Sequence, residues 1–428
     1  MFRVFGNAWK IADLKKKILF TIAIIVIYRI GSAIPVPYVN GDELSDMMES
    51  ASGTLFGYFN MLSGYAFSQG TLFALGVSPY ITSSIVMQLL TIAIPALERM
   101  SKAGPEGQAK ISKITRWVTV TLAVITAYGY YLTIKNSYPG LIADGWFPAL
   151  VIVASLTAGA SLVMWIGEQI DERGIGNGIS MILFANIVSR GASLFTTMYI
   201  LIVDSIDKLS AIFWVLVAVL VMLLIIVFTV FFSNSERRLN VQYAKRQVGR
   251  KMYGGSNTSL PIKVLMSGVM PIIFANAIVM MPATLGMFFG WDDALNTWFS
   301  ANSEYPFYVI TLFVLIVAFA YFYLSISFNA VEISNNLKKN GGTILGYRPG
   351  KPTSDYIKKV VNRVTLMGSI FLSFMAIFPV ILGWTGQDAL QHLVFGGTSM
   401  IILVSVALET THQLESEITM RHYKGFLD

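Results

Sequence analysis

Apolar runs separated by charged links set the plan of the chain from residue 18 almost to its end. A run of ~20 apolar residues spans the hydrocarbon of a bilayer as one helix. The first such run is Ile18 to Ile34, directly after Lys15, Lys16 and Lys17. Basic flanks stay in the cytoplasm, so this crossing starts inside. Ahead of it, Phe2, Val4, Phe5, Trp9 and Ile11 recur at roughly helical spacing among polar residues. That pattern predicts an amphipathic segment, residues 1–17, lying on the membrane surface.

Residues 55–97 are apolar for about twice the length of one crossing, and Gly57, Gly64, Gly70, Gly76 and Pro79 break them. Asp42, Glu43, Asp46 and Glu49, with no basic residue among them, put the upstream end outside. Arg99, Lys102, Lys110, Lys113 and Arg116 put the downstream end inside. An odd number of crossings must join the two, and the length admits one. Ser78 to Ile94 is the best continuous helix, which leaves residues 57–70 as a short piece that does not span. An interfacial external helix is the plain alternative for that piece.

The same parity carries through the rest. Val118 to Ile134 runs outward, Phe147 to Gly167 inward and Gly178 to Ile202 outward; then an acidic external link, 204–212, leads to Phe213 to Phe232 running inward. Pro261 to Phe289 runs outward, with Pro261, Pro271 and Pro282 predicting interruptions. Phe307 to Phe328 inward, Val361 to Leu382 outward and Thr398 to Leu414 inward complete ten crossings, with a tail at 415–428 and both termini cytoplasmic. The fold class is therefore an all-α polytopic membrane protein. Its N-terminal half, 18–203, and C-terminal half, 213–414, hold five crossings each in opposite orientation, the arithmetic of an inverted repeat. No identity between the halves is visible, so the repeat rests on parity.

Composition agrees: 55% of residues are hydrophobic and 13% charged, which excludes a soluble protein of two or three domains. The chain has no cysteine, and His392, His412 and His422 lack metal-ligand spacing. No Walker, HExxH, GxSxG or paired-carboxylate pattern occurs, so no catalytic residue, cofactor or metal is expected. Arg29 and Arg190 are the intramembrane arginines, and Gln88, Asn186 and Asn276 are intramembrane amides whose plain role is hydrogen bonding between helices.

Two cytoplasmic loops, 233–260 and 329–360, carry more positive charge than orientation needs. The first holds Arg237, Arg238, Arg250 and Lys251; the second is rich in glycine and proline and presents Arg348 at its tip. Either they set topology alone, or they dock RNA phosphate or an acidic partner. At this level the topology alone favours a secondary transporter with inverted five-helix repeats, which stays open as an alternative.

The runs GVSPYITSSIVMQLL, ERGIGNGISMILFANIV, YAKRQVGRKMYGG, LPIKVLMSGVMPIIFA, NNLKKNGGTILGYRPGKPT and FGGTSMIILV resemble those of the SecY family, the large subunits of protein-conducting channels, and specifically a Gram-positive bacterial member. The resemblance covers nearly the whole chain. It implies a passive pore in the plasma membrane that passes unfolded polypeptides and releases signal sequences sideways into lipid. It also implies a pore ring of Ile81, Ile85, Ile179, Leu183, Ile273 and Ile402, with Leu183 where many relatives have isoleucine. Lateral-gate polar residues would be Gln88 and Asn276. A plug over residues 57–70 would include Gly57, Phe59, Asn60, Met61, Leu62 and Gly64, hinged by its flanking glycines. The implied partners are the SecE and SecG subunits and, docking on Arg237, Arg238, Arg250, Lys251 and Arg348, the SecA motor and the ribosome.

Overall fold

The computed structural model describes residues 2–41, 43–45, 60, 63–137, 140–143, 145–204, 208–243, 246–248, 251–253, 257–266, 268–279, 282, 298, 306–384 and 393–424. The chain forms two compact units. One comprises Met1–Ala211, Met281–Asn302 and Val406–Asp428; the other comprises Ile212–Met280 and Ser303–Ser405.

The first unit opens with α1 (Phe2–Lys10) and α2 (Ala12–Gly31). Part of the apolar stripe of α1 turns onto protein: Val4, Ala8 and Ile11 pack with Leu14, Ile175, Leu414 and Ile418, while Phe5 and Trp9 stay exposed. Helix α3 (Ser78–Ala93) begins where the sequence predicts, with Pro79 accommodated in its first turn, and α4 (Pro95–Lys102) follows at an angle of 102°. The bend has a local cause. Ile94 precedes Pro95 and is forced out of helical geometry, to φ −107 and ψ 112.

Three long helices complete the unit: α5 (Pro105–Ser137), α6 (Trp146–Arg173) and α7 (Gly178–Asp204). Ala127, Tyr130 and Ile134 of α5 and Ile152 and Leu156 of α6 close around Phe67, Ala74 and Leu75 from the segment ahead of α3.

The second unit takes in most of α8 (Lys208–Asn234), then β1 (Glu236–Tyr243), β2 (Arg246–Val248), β3 (Lys251–Tyr253), β4 (Asn257–Lys263) and α9 (Met270–Val279). It continues with α10 (Phe307–Ser327), α11 (Ala330–Lys339), β5 (Gly342–Ile344) and α12 (Lys351–Gly383). Helix α13 (Leu393–Lys424) starts there and ends in the first unit.

Three sequence expectations change. The basic segments 233–260 and 329–360 are not simple loops: β1 is the centre of a three-stranded antiparallel sheet in the order β4-β1-β5, and β2 pairs with β3. Leu239 and Val241 are buried between exposed Arg238 and Asn240, a period of two that R-R-L-N-V-Q-Y already carries. Pro261 does not begin the seventh helix; it lies in β4 opposite Arg238, and the helix begins at Met270. Strand β4 lies at the edge of the sheet, the position in which a proline is tolerated. Residues 415–424, expected as tail, continue α13, and Lys17 pairs with both Glu417 oxygens at 3.0 Å.

Among the described residues, five helices are long and apolar enough to cross a membrane, or six if the bent α3–α4 pair is one span.

Candidate pore, plug and docking surface

Four of the expected ring residues lie in the first unit. Ile81 and Ile85 stand one turn apart on α3 and are both buried. Spaced i, i+4, they point the same way from the helix. Ser83, between them, shares a hydroxyl hydrogen bond with Thr119 of α5, which fixes the rotation of α3.

On α7, Leu183 is buried and Ile179 half-buried. The turn before α7 sets where they stand. Asp171 Oδ1 accepts from the Gly178 N–H at 2.7 Å, and Asn177 caps the helix by accepting from Ser180 N–H at 3.0 Å. The Ile175 N–H donates to Thr21 of α2 at 3.0 Å, and the Gly176 N–H to Gln413 of α13 at 3.1 Å. A Cβ on Gly178 would collide with the Gly167 carbonyl oxygen, so the glycine is what lets α7 start against α6. The run GIGNG is thus a machined corner that aims Ile179 and Leu183.

Ile273 on α9 and Ile402 on α13 belong to the second unit and are both nearly inaccessible, at 2% and 1% exposure. Of the amides expected at a gate, Gln88 is half-buried on α3. Asn276 is buried, donating to the Ile272 carbonyl at 3.1 Å and accepting from Tyr308 of α10 at 3.2 Å. It ties α9 to α10 within its own unit.

Of the plug residues, Gly57, Phe59, Met61 and Leu62 lie outside the described residues, and Asn60 and Gly64 are within them. Asn60 organises a tight turn: its carbonyl accepts from Tyr65 N–H at 3.0 Å and from the Ser63 hydroxyl at 3.2 Å, and its Oδ1 accepts from Ser68 N–H at 3.1 Å. Gly64, at φ +65, comes up against Arg29 of α2 and Asn186 of α7. Asn186 follows Leu183 by three residues, one turn further toward the outside in the expected orientation. The sequence did not connect these residues: Arg29 and Asn186 read separately as an intramembrane arginine and an interhelical amide.

The expected docking residues sit on a rigid support. Arg237 and Arg238 are exposed on β1, and Arg238 Nε donates to Glu236 at 2.6 Å. Beneath them Leu239, Val241, Ile262 and Ile344 are buried against Ile357 and Val361 of α12. Strand β5 joins β1 through Val241 opposite Ile344, so the two basic segments are parts of one sheet.

Four residues past β5, Arg348 is exposed on a braced turn. Its carbonyl accepts from Thr353 at 2.7 Å, Ser334 donates to the Gly350 carbonyl at 2.8 Å, and Tyr347 stacks on Tyr356 at 4.0 Å. Lys251 lies in β3, and Arg250 falls outside the described residues. Among the described residues no cluster of metal-ligating side chains occurs.

The SecY family model matches residues 71–411. The chain is 42% identical over 445 residues to the protein translocase subunit SecY of Streptomyces galbus, with 100% of both chains covered. It is similar in fold to a solved channel whose plug domain is described as stabilising the closed state and maintaining a membrane seal, with a TM-score of 0.69, 19% identity and coverage of 94% and 92%. It is also similar in fold to Sec61 in the canine ribosome-channel complex, with a TM-score of 0.62, 18% identity and coverage of 94% and 92%.

Proposed function

The chain belongs to the SecY family, and from that premise we propose how its parts act together. It is the channel subunit of a protein translocase, a gated pore in a membrane through which polypeptides pass. The alternative of a secondary transporter has no support among its relatives. In our reading there are ten crossings in two inverted halves, both termini are cytoplasmic and the membrane is the bacterial plasma membrane.

The constriction is the collar of Ile81, Ile85, Ile179, Leu183, Ile273 and Ile402. Branched apolar side chains fit around an extended chain yet offer a hydrated ion no replacement for its water. Secretory segments pass through the collar, while signal sequences and transmembrane segments leave sideways into lipid past Gln88 and Asn276. The residues ahead of Gly64 are the plug. The observation that supports this reading is the approach of Gly64 to Asn186, which lies one turn beyond Leu183 on α7.

The channel has no catalytic site of its own. Energy comes from the SecA motor, the translating ribosome or the membrane potential, and motor and ribosome dock on the sheet that carries Arg237 and Arg238, on Arg348 beside it and on Lys251 of the separate β2-β3 pair. Arginine forks suit phosphate and carboxylate alike, which fits both kinds of partner. SecE clamps the subunit and SecG lies at its periphery.

The test is crosslinking. Cysteines placed at Ile85 and Ile402 are expected to form adducts with a secretory chain stalled during translocation, and cysteines at lipid-exposed Val26 or Leu220 are not. Adducts only at the exposed positions would overturn the pore assignment.

A further inference from the structure

Buried threonines in the helices of this chain settle their hydroxyls on their own backbone. Thr119 of α5 donates to the carbonyl four residues back at 2.8 Å, and Thr229 of α8 and Thr411 of α13 do the same at 2.7 Å. Thr365 of α12 does not. It is just as buried, at 6% exposure, yet its hydroxyl has no partner among the described residues. A hydroxyl left unmatched away from water costs more than an ordinary hydrogen bond returns, and the carbonyl four residues back is the usual remedy. A group outside the helix must therefore take the Thr365 hydroxyl.

Thr365 lines a small cavity within the second unit. Tyr323 and Phe328 of α10, Ser369 of α12 and Val264, Leu265 and Met266 line it too; the last three belong to the connector between β4 and α9. The space open to the centre of a water-sized sphere is about 10 Å³, which suits one water and no larger ligand.

The connector comes close to α12 at the same place. A Cβ on Gly368 would stand 2.4 Å from the Val264 carbonyl oxygen, so the connector fits only because residue 368 has no side chain. Gly368 follows Thr365 by three residues, which puts both on one face of α12. The other side of the same residue is held as well: Val264 N–H donates to the Ser235 carbonyl, just past α8, at 3.0 Å.

We propose that the notch made by Thr365 and Gly368 binds one water molecule, and that this water and the glycine together seat the connector on α12. The Thr365 hydroxyl donates to the water oxygen, and one water O–H donates to the Val264 carbonyl. The second water O–H has an acceptor in Ser369, whose hydroxyl already donates to the Leu366 carbonyl at 3.0 Å and keeps its lone pairs. The seat fixes where α9 begins, and with it the placing of Ile273 and Asn276.

The experiment compares Thr365→Val, Thr365→Ser and Gly368→Ala in the whole channel complex. It reads the melting temperature, the hydrogen exchange of the Val264, Leu265 and Met266 amides, and the density in the cavity of the parent at a resolution that shows waters. Valine has the shape of threonine without the hydroxyl, so the sign of its effect decides. Were the hydroxyl merely unmatched, Thr365→Val would remove a buried polar group and raise the melting temperature. With a bridging water it lowers the melting temperature, and exchange at the connector rises about two- to tenfold, the factor that one ordinary hydrogen bond represents. Thr365→Ser keeps the hydroxyl and retains most of the parent's protection. Gly368→Ala pushes the connector away and raises exchange at the same amides at least as far.

A melting temperature that does not fall in Thr365→Val overturns the water, and so does one that falls without faster exchange at the connector, because the hydroxyl then serves another contact. Parent density with Thr365 bonded to the carbonyl four residues back and no water beside it overturns it directly. Unchanged exchange in Gly368→Ala overturns the seat.

Discussion

Arginines stand in opposite settings in the two units. Arg29 sits half-buried with its donor aimed at a fixed carbonyl, and backbone is packed against it. Arg237, Arg238 and Arg348 stand exposed on a sheet and turn whose undersides are buried in apolar contacts. The residue type is the same, and burial decides what it can do. A guanidinium withdrawn from water must be satisfied by the fold, so it can hold a piece of backbone in place. One left in water keeps its donors for a partner and adds little to stability. Charge alone therefore does not tell an arginine that holds the fold from one left exposed to solvent; what lies behind the charge does.

The sharpest way to break this contrast is to remove the support of the platform while leaving its charges. Val241→Asp puts a carboxylate at a position with 2% exposure opposite Ile344, and an unpaired buried charge costs on the order of 3–5 kcal/mol. The sheet should become protease-sensitive between residues 236 and 263, and motor-driven translocation should be lost while the resting seal is kept. Loss of the seal as well would show that the two regions are not independent.

Reversing one charge is a smaller disturbance. Arg348→Glu should lower motor-driven translocation about tenfold or more in proteoliposomes, a loss of ~1.4 kcal/mol or more at the docking step, with assembly and melting unchanged. Undiminished translocation would remove Arg348 from the docking surface.

The least effect is expected at Asn276, which is buried and satisfied like Arg29 but neutral. Asn276→Ala leaves the Tyr308 hydroxyl without its acceptor and should cost about 1–2 kcal/mol, seen as a lower melting temperature of the purified complex. A large gain in sideways release of signal sequences with unchanged melting would instead make it a gate residue first and a structural tie second.

Much of the fold was legible because its signals are local. The crossing that begins at Ser78 follows from the opposite charge of its two flanks and an apolar run long enough for only one crossing, and α3 starts there. The first strand of the basic segments was also present in the sequence, as the alternation of Leu239 and Val241 with Arg238 and Asn240, although the charged half of that pattern is equally what a solvated loop would carry. The candidate site was legible only in pieces. The pairs Ile81/Ile85 and Ile179/Leu183 could be placed on common helix faces, whereas the turn that aims the second pair depends on Thr21 and Gln413, far away in the chain.

The sequence by itself determined a membrane protein and an excess of charge in two segments, and it supplied the proposed direction of each crossing and the proposed non-spanning piece ahead of Ser78. These follow from hydropathy and from the sign of short flanks, which act residue by residue. Only the tertiary structure decided that β5 joins the two segments in one sheet, and that Gly64 meets Arg29 and Asn186. Strand pairing and a left-handed elbow against a buried guanidinium both depend on residues distant in sequence, and on backbone angles that no local pattern of hydrophobic and polar positions records.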